Sequence, residues 1–225
     1  MEEIIKNLYL TSEQRKAIAK GIFEGKEEYN MRCSSIGQTI TSKYKSGLLY
    51  DLVNTSVAQE LNSNPHLNLE IYSKYAGFHP YIVLHEKRRN LFVLVLKLPY
   101  NKEIFNPSGY RGDFALSNVD RLLEMGVQLE DFADDYSHQY SLPLGIDNQP
   151  FGVIVSYDGY KDVIFEGALR PDQQEWLYKE EITEHLYLNT NNVTHLENSY
   201  EENEVKLSLK KPKDEEEIKL KLKNK

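Results

Sequence analysis

Apolar positions along this chain recur at helical spacing, then at every second residue, then in short unbroken runs, and each change of rhythm marks an element. In residues 47–62, GLLYDLVNTSVAQELN, the side chains Leu48, Leu49, Leu52, Val53, Val57 and Leu61 fall along one face of a helix. Pro65 just beyond forbids its continuation. Residues 11–24, TSEQRKAIAKGIFE, open with Thr11 three places before Gln14, a capping-box spacing, and put Ile18 and Ile22 on one stripe. A second amphipathic helix is expected there. Residues 30–46 follow neither period, so a polar loop is expected, with at most a short element in it.

Strand signals come next. LNLEIYSKY, residues 67–75, alternates Leu67, Leu69 and Ile71 with polar neighbours, as a half-buried strand does. YIVL (81–84) and LFVLVL (91–96) are nearly continuous apolar runs, which suits strands covered on both faces. EKRRN, residues 86–90, has the length of a hairpin loop, and solvation places Lys87, Arg88 and Arg89 at its tip. The charge in this stretch is therefore expected to turn the chain.

Pro99 ends the third strand, and NKEIFNPSGYRGD (101–113) reads as a loop. Ser117 is expected to cap a helix over NVDRLLEMG, stopped by Gly126. Residues 127–150 show no period. GVIVSYDGYKDVIFEG (152–167) reads as a hairpin tightened at Asp158-Gly159, and Pro171 as the opening of a helix over PDQQEWLYKEEITEHL. Residues 196–204 form an acidic linker. After it VKLSLK and IKLKLK place Leu207 and Leu220 on alternating apolar faces that need something to cover them. The expected class is α+β: a central, mostly antiparallel sheet flanked by helices in a single domain over residues 1–195, then a linker and C-terminal β-hairpin or tail over 196–225.

Composition narrows the partners. A chain of 225 residues can bury a core unaided, and its single cysteine, Cys33, excludes an internal disulfide framework. No run approaches the roughly 20 apolar residues that span a bilayer, so a cytoplasmic protein without membrane contact is expected. The net charge of −8 makes nucleic acid an unfavoured partner, because affinity for phosphates grows with the cations that neutralise them. Tyrosine is frequent, 16 residues against 8 phenylalanines, and amphipathic aromatic surface favours protein contacts.

Chemistry-bearing clusters are sparse. His79 and His85 face one way along a strand but stand about 20 Å apart at about 3.3 Å per residue. His138, His185 and His195 lack a partner four places away, and Cys33 has no local nucleophile motif. Neither a dinucleotide fingerprint nor a phosphate-binding loop occurs. Glu130-Asp131 and Asp134-Asp135, with Tyr136 beside them, read as a solvated acidic face. Tyr110, Arg111 and Asp113 offer a third possibility, a small-molecule site with only a flexible loop in its favour. No metal and no cofactor are expected.

The order helix, three strands, helix over residues 47–126 resembles the core of restriction-endonuclease-like nucleases. That resemblance implies a strand carrying an acid and a lysine one residue apart, to hold magnesium and steady the attacking water. Lys97 fills the lysine position, Val95 stands at the metal ligand, and Glu70 and Glu86 are poorly placed substitutes, so a degenerate core is implied. LLYDLVNTSVAQEL, PYIVLHEKRRNLFVLVLKLP and WLYKEEI together are similar to an uncharacterised family of low-GC Gram-positive bacteria and their phages, over about residues 40–185. It implies a bacterial or phage setting and carries over no functional residue.

The function expected from these features is non-enzymatic binding of another protein, as an inhibitor or a defence or immunity factor. Its expected contact surface comprises Lys87, Arg88, Arg89, Tyr110, Arg111, Asp113, Asp134, Asp135, Tyr136, Leu207 and Leu220, and the C-terminal hairpin offers a route to a homodimer. The competing expectation is a nucleic-acid binder or degenerate nuclease using Lys97 with Lys87, Arg88 and Arg89.

Overall fold

The computed structural model describes residues 2–36, 44–77, 79–127 and 150–186. The described residues all belong to one unit spanning residues 1–191. Its elements are α1 (Glu2–Lys6), α2 (Ser12–Ser35), α3 (Tyr44–Ser63), a 3-10 turn (Pro65–Leu67), β1 (Leu69–Ala76), β2 (His79–Glu86), β3 (Leu91–Lys97), α4 (Gly109–Glu124), β4 (Phe151–Tyr157), β5 (Ile164–Leu169), β6 (Trp176–Glu181) and a closing 3-10 turn (Thr183–Leu186).

The fold is α+β. Six strands lie in sequence order across one sheet, every neighbouring pair antiparallel except β3 and β4. That parallel pair runs from Leu91 beside Phe151 to Lys97 beside Tyr157, and α4 lies in the connection between its strands. Two antiparallel meanders, β1–β3 and β4–β6, are thus joined along a seam at the centre of the sheet.

Alternation along the seam sorts side chains between two cores. Val93 and Val95 of β3, with Val153 and Val155 of β4, join Ile18, Ile22, Val53 and Val57 in the larger core beneath α2 and α3. Leu94, Leu96 and Ile154 point the other way and pack with Ala115 of α4. β3 and β4 are therefore covered on both faces, which is why they read as unbroken apolar runs.

The α2–α3 pair is unusually close. A Cβ on Gly21 would stand 2.6 Å from the Cα of Val57, and one on Gly25 2.5 Å from the Cα of Val53. Small residues at the crossing let the two backbones approach, and β-branched valines fill the space beside them. Thr11 caps α2 as its spacing implies, accepting from the Gln14 N–H at 3.2 Å while Gln14 Oε1 accepts from the Thr11 N–H at 3.1 Å.

Several expectations need correction. Helix α2 continues to Ser35, through residues expected to be loop. Ser117 does not cap α4 but sits within it, bonding the Phe114 carbonyl at 2.9 Å, and the N-cap is Ser108. Tyr110, Arg111 and Asp113 thus lie on the first turns of a helix rather than on a loop. The segment from Pro171 is not a helix: a turn containing Gln173 at φ 59° leads into β6, which pairs with β5. The β4–β5 connection occupies residues 158–163, and Gly159 is not among the positive-φ glycines that a tight two-residue turn would need. No helix among the described residues is long and apolar enough to cross a membrane. Asp134, Asp135, Tyr136, Leu207 and Leu220 lie outside the described residues.

Candidate functional site

Two loops leave the carboxyl ends of β3 and β4 side by side because those strands run parallel. The first is held by the Leu98 N–H donating to the Tyr157 carbonyl at 2.9 Å, then turns where the Lys102 N–H reaches the Pro99 carbonyl at 3.1 Å. Asn101 takes φ 54° within that turn, a conformation asparagine tolerates. The second loop is organised by Asp158, whose Oδ1 accepts from the N–H groups of Tyr160 at 2.7 Å and Lys161 at 2.8 Å. Partial burial pushes the Asp158 carboxyl up, but these donors and the charges of Lys161 and Lys26 pull it below the usual carboxylate range. Lys26 of α2 anchors the far side of the loop through the Lys161 carbonyl at 2.7 Å and Asp162 at 2.8 Å.

This framework presents a pair of tyrosines to solvent. Tyr100 and Tyr160 are 72% and 77% exposed, yet their rings meet edge to face with centroids 5.5 Å apart. Lys97 Nζ lies 5.6 Å from the Tyr160 ring centroid, and its aliphatic stem lies where a side chain on Gly159 would stand. The Lys97 ammonium has no hydrogen-bond or ion-pair partner among the described residues.

Beside the pair opens a cleft of about 770 Å³, lined by Leu98, Tyr100, Lys102, Lys161, Phe165 and Lys179 among others. Lys179 Nζ sits 4.3 Å from the Phe165 ring and donates to the Glu103 carbonyl at 3.3 Å. Trp176 Nε1 donates to the same carbonyl at 3.0 Å, so β6 holds the first loop in place. Tyr29 of α2 and Tyr44 of α3 belong to this end as well. Burial, then a hydrogen bond with Cys33, pushes the Tyr29 phenol up to about 12, and both Tyr160 and Tyr44 lie near enough to add to it. Four of the 16 tyrosines are thus gathered at this end.

The residues singled out from sequence do not converge on this ledge. Lys87, Arg88 and Arg89 occupy the hairpin at the opposite end of β3, so about 20 Å of strand separates them from Lys97. Arg89 serves the fold: it pairs with Glu86 at 2.9 Å and donates to the Tyr9 carbonyl at 2.5 Å and Gln14 Oε1 at 3.1 Å. Glu86 is buried and also accepts the N–H groups of Arg88 and Arg89, each at 3.1 Å. Lys87 pairs with Glu70 at 2.6 Å on the exposed edge, and Arg88 lines a shallow cleft beside it. Tyr110 packs on Tyr81 at 5.1 Å, and Arg111 binds the Tyr110 hydroxyl at 2.7 Å and the Asn106 carbonyl. Asp113 is exposed on α4.

The residues at the nuclease-like positions do not converge. Val95 is 1% exposed in the core under α2 and α3, Glu86 is occupied by its own turn, and Glu70 sits at the sheet edge with Lys87 and Tyr72. No three His, Cys, Asp or Glu residues among those described could together hold a metal. His85 instead stacks on Phe92 at 4.3 Å and contacts Asn90 Oδ1 at 3.1 Å.

No protein-family model, curated protein or solved structure matches this chain. Tyr100, Lys102, Tyr160, Lys161 and Lys179 went unnoticed in the sequence because they are distributed over two loops and a strand far apart along the chain. Knowing that β3 and β4 are parallel neighbours would have pointed to them.

Proposed function

We propose that this protein is a non-enzymatic binding module that holds another protein against the ledge formed by the loops after β3 and β4. The observation that carries this reading is the Tyr100–Tyr160 pair, exposed yet mutually packed and set over Lys97. Such a pair supplies rigid contact area at little cost in side-chain entropy, the property that enriches tyrosine in protein interfaces. The shape of the loops does not depend on a partner: Asp158, Lys26 and Trp176 already fix them. In the bacterial or phage setting suggested by the family resemblance, the role that fits is an inhibitor or immunity factor acting in the cytoplasm. The C-terminal segment with its alternating apolar residues, Leu207 and Leu220 among them, is a second proposed contact, toward a partner or another copy of the chain.

A second reading rests on the same ledge: lysines interleaved with stacking aromatics also suit single-stranded nucleic acid. The net charge of −8 weighs against it. The deciding experiment is affinity capture from the native cell by the full-length protein and by its Tyr100→Ala/Tyr160→Ala variant, with nuclease-treated lysate in parallel. A protein retained by the wild type, lost by the variant and indifferent to nuclease supports the module. Capture that the double variant leaves intact removes the ledge from the account, and deletion of residues 199–225 then asks whether the C-terminal segment makes the contact.

A further inference from the structure

Charge at the ledge runs opposite to charge on the molecule. The chain carries −8 overall, yet Lys97, Lys102, Lys161 and Lys179 gather around one cleft and its rim. Two carboxylates stand among them, Glu103 and Asp158, and Asp158 is committed to two backbone N–H groups of its own loop. The lysine heads are poorly matched within the fold. Among the described residues the Lys97 ammonium has the Tyr160 ring alone, Lys179 has a carbonyl and two aromatic rings, and Lys102 has the neutral Asn106 amide at 2.6 Å. The Lys161 ammonium has no partner among the described residues; only its backbone is engaged, the N–H by Asp158 and the carbonyl by Lys26. By contrast, Lys20 and Lys87 elsewhere, and Lys26 beneath the second loop, each pair with a carboxylate within 2.8 Å.

Resting on the ledge as the contact surface, we infer that what it recognises is an acidic, extended peptide segment of the partner, carrying an aromatic side chain between its carboxylates. The apolar elements of the cleft, Leu98, Tyr100 and Phe165, receive the ring, and the lysines around them meet the flanking carboxylates. A cation already resting on an aromatic ring keeps part of its hydration and is free to exchange it for a carboxylate. A nucleic-acid strand would be held by the same cations through evenly spaced phosphates. The peptide is favoured because the aromatic surface forms one compact site rather than a track of successive stacking platforms.

The test uses the full-length protein and three fluorescein-labelled probes: a synthetic peptide of glutamates around a central phenylalanine, its lysine-for-glutamate counterpart, and an oligothymidylate of matched charge. Fluorescence anisotropy should show the acidic peptide binding, at least tenfold weaker for Lys97→Gln/Lys161→Gln and for Tyr100→Ala/Tyr160→Ala, and weakening as salt rises from about 0.05 to 0.5 M. Lys161→Gln preserves the carbonyl that Lys26 needs, and circular dichroism of each variant checks the fold. Equal binding of the basic peptide, tighter binding of the oligothymidylate, or an acidic peptide indifferent to both variants would overturn the inference. Should no probe bind while the tyrosine variant still loses its cellular partner, the acidic ligand fails and the protein-binding reading stands. If that variant keeps its partner, the underlying reading fails instead.

Discussion

Arg15 of α2 sets its Nε 2.6 Å from Oε2 of Glu166 in β5, a carboxylate with no solvent exposure at all. Burial pushes the Glu166 carboxyl up, while Arg15, the Leu10 N–H at 3.0 Å and the Tyr178 hydroxyl at 2.9 Å supply donors that oppose the rise. Arg15 also reaches Glu180 of β6 at 2.7 Å, so one guanidinium ties α2 to two strands. Breaking such a pair costs more than replacing it, because a lone charge is left in the core. Arg15→Met is expected to destabilise by about 3–5 kcal/mol, and Arg15→Met/Glu166→Leu by less than the single change. Urea unfolding of the two variants measures the difference, and a double variant no more stable than Arg15→Met would overturn the expectation.

Glycine has two opposite roles in the helices. Gly25→Ala forces α2 away from the Val53 backbone and should cost about 1–3 kcal/mol even after the ~1 kcal/mol that alanine gains in helix propensity. Gly47, within α3, meets nothing within 4 Å, so Gly47→Ala should raise stability by up to about 1 kcal/mol. Thermal midpoints moving in opposite directions would verify the contrast.

Asn118 of α4 joins the helix to the sheet. Its Oδ1 accepts from the Gly152 N–H at 2.6 Å, and its Nδ2 donates to the Gly152 carbonyl at 3.1 Å. Asn118→Ala leaves a buried N–H without a partner and should cost about 1–3 kcal/mol. Hydrogen exchange at the Gly152 amide should accelerate relative to its β4 neighbours. Unchanged exchange would show that the side chain is dispensable.

Alkaline pH should separate the tyrosines. Burial raises the phenols of Tyr157 and Tyr178, the latter helped by Glu166, and Tyr29 is pushed up to about 12. A phenol whose folded value exceeds its unfolded value of about 10 stabilises the fold fully below pH about 10, and that contribution fades as pH rises through the folded value. Phenolate absorbance should therefore appear in an early step, with Tyr29, Tyr157 and Tyr178 ionising only as the fold is lost. Tyr157→Phe should cost little at neutral pH, since its hydroxyl has no hydrogen-bond partner among the described residues.

Much of the sheet was legible in the sequence because β3 and β4 are covered on both faces and show it as unbroken Val, Ile and Leu. Helix α3 announced itself by its apolar face and by Pro65. The segment 171–186 was misread because Pro171 and the acids after it imitate a helix start, whereas pairing with β5 and the bond from Tyr178 to Glu166 hold Trp176–Glu181 extended. No local pattern could reveal Ser108 as the cap of α4, since its own N–H is taken by Gln173, 65 residues later, at 3.0 Å. The ledge was hidden for the same reason: its chemistry exists only once the two loops are brought together.

The parallel seam also dictates when the molecule becomes whole. Each meander links strands that follow one another closely, while the seven paired positions between β3 and β4 bring together residues about sixty apart in the chain. Closing so long a span loses entropy before any contact repays it, and slow folding follows from pairings of this kind. The halves are expected to gain local order first, with cooperativity arriving in one rate-limiting step as the seam zips, so substitutions in Val93 or Val153 should slow refolding more than equally costly ones in β1.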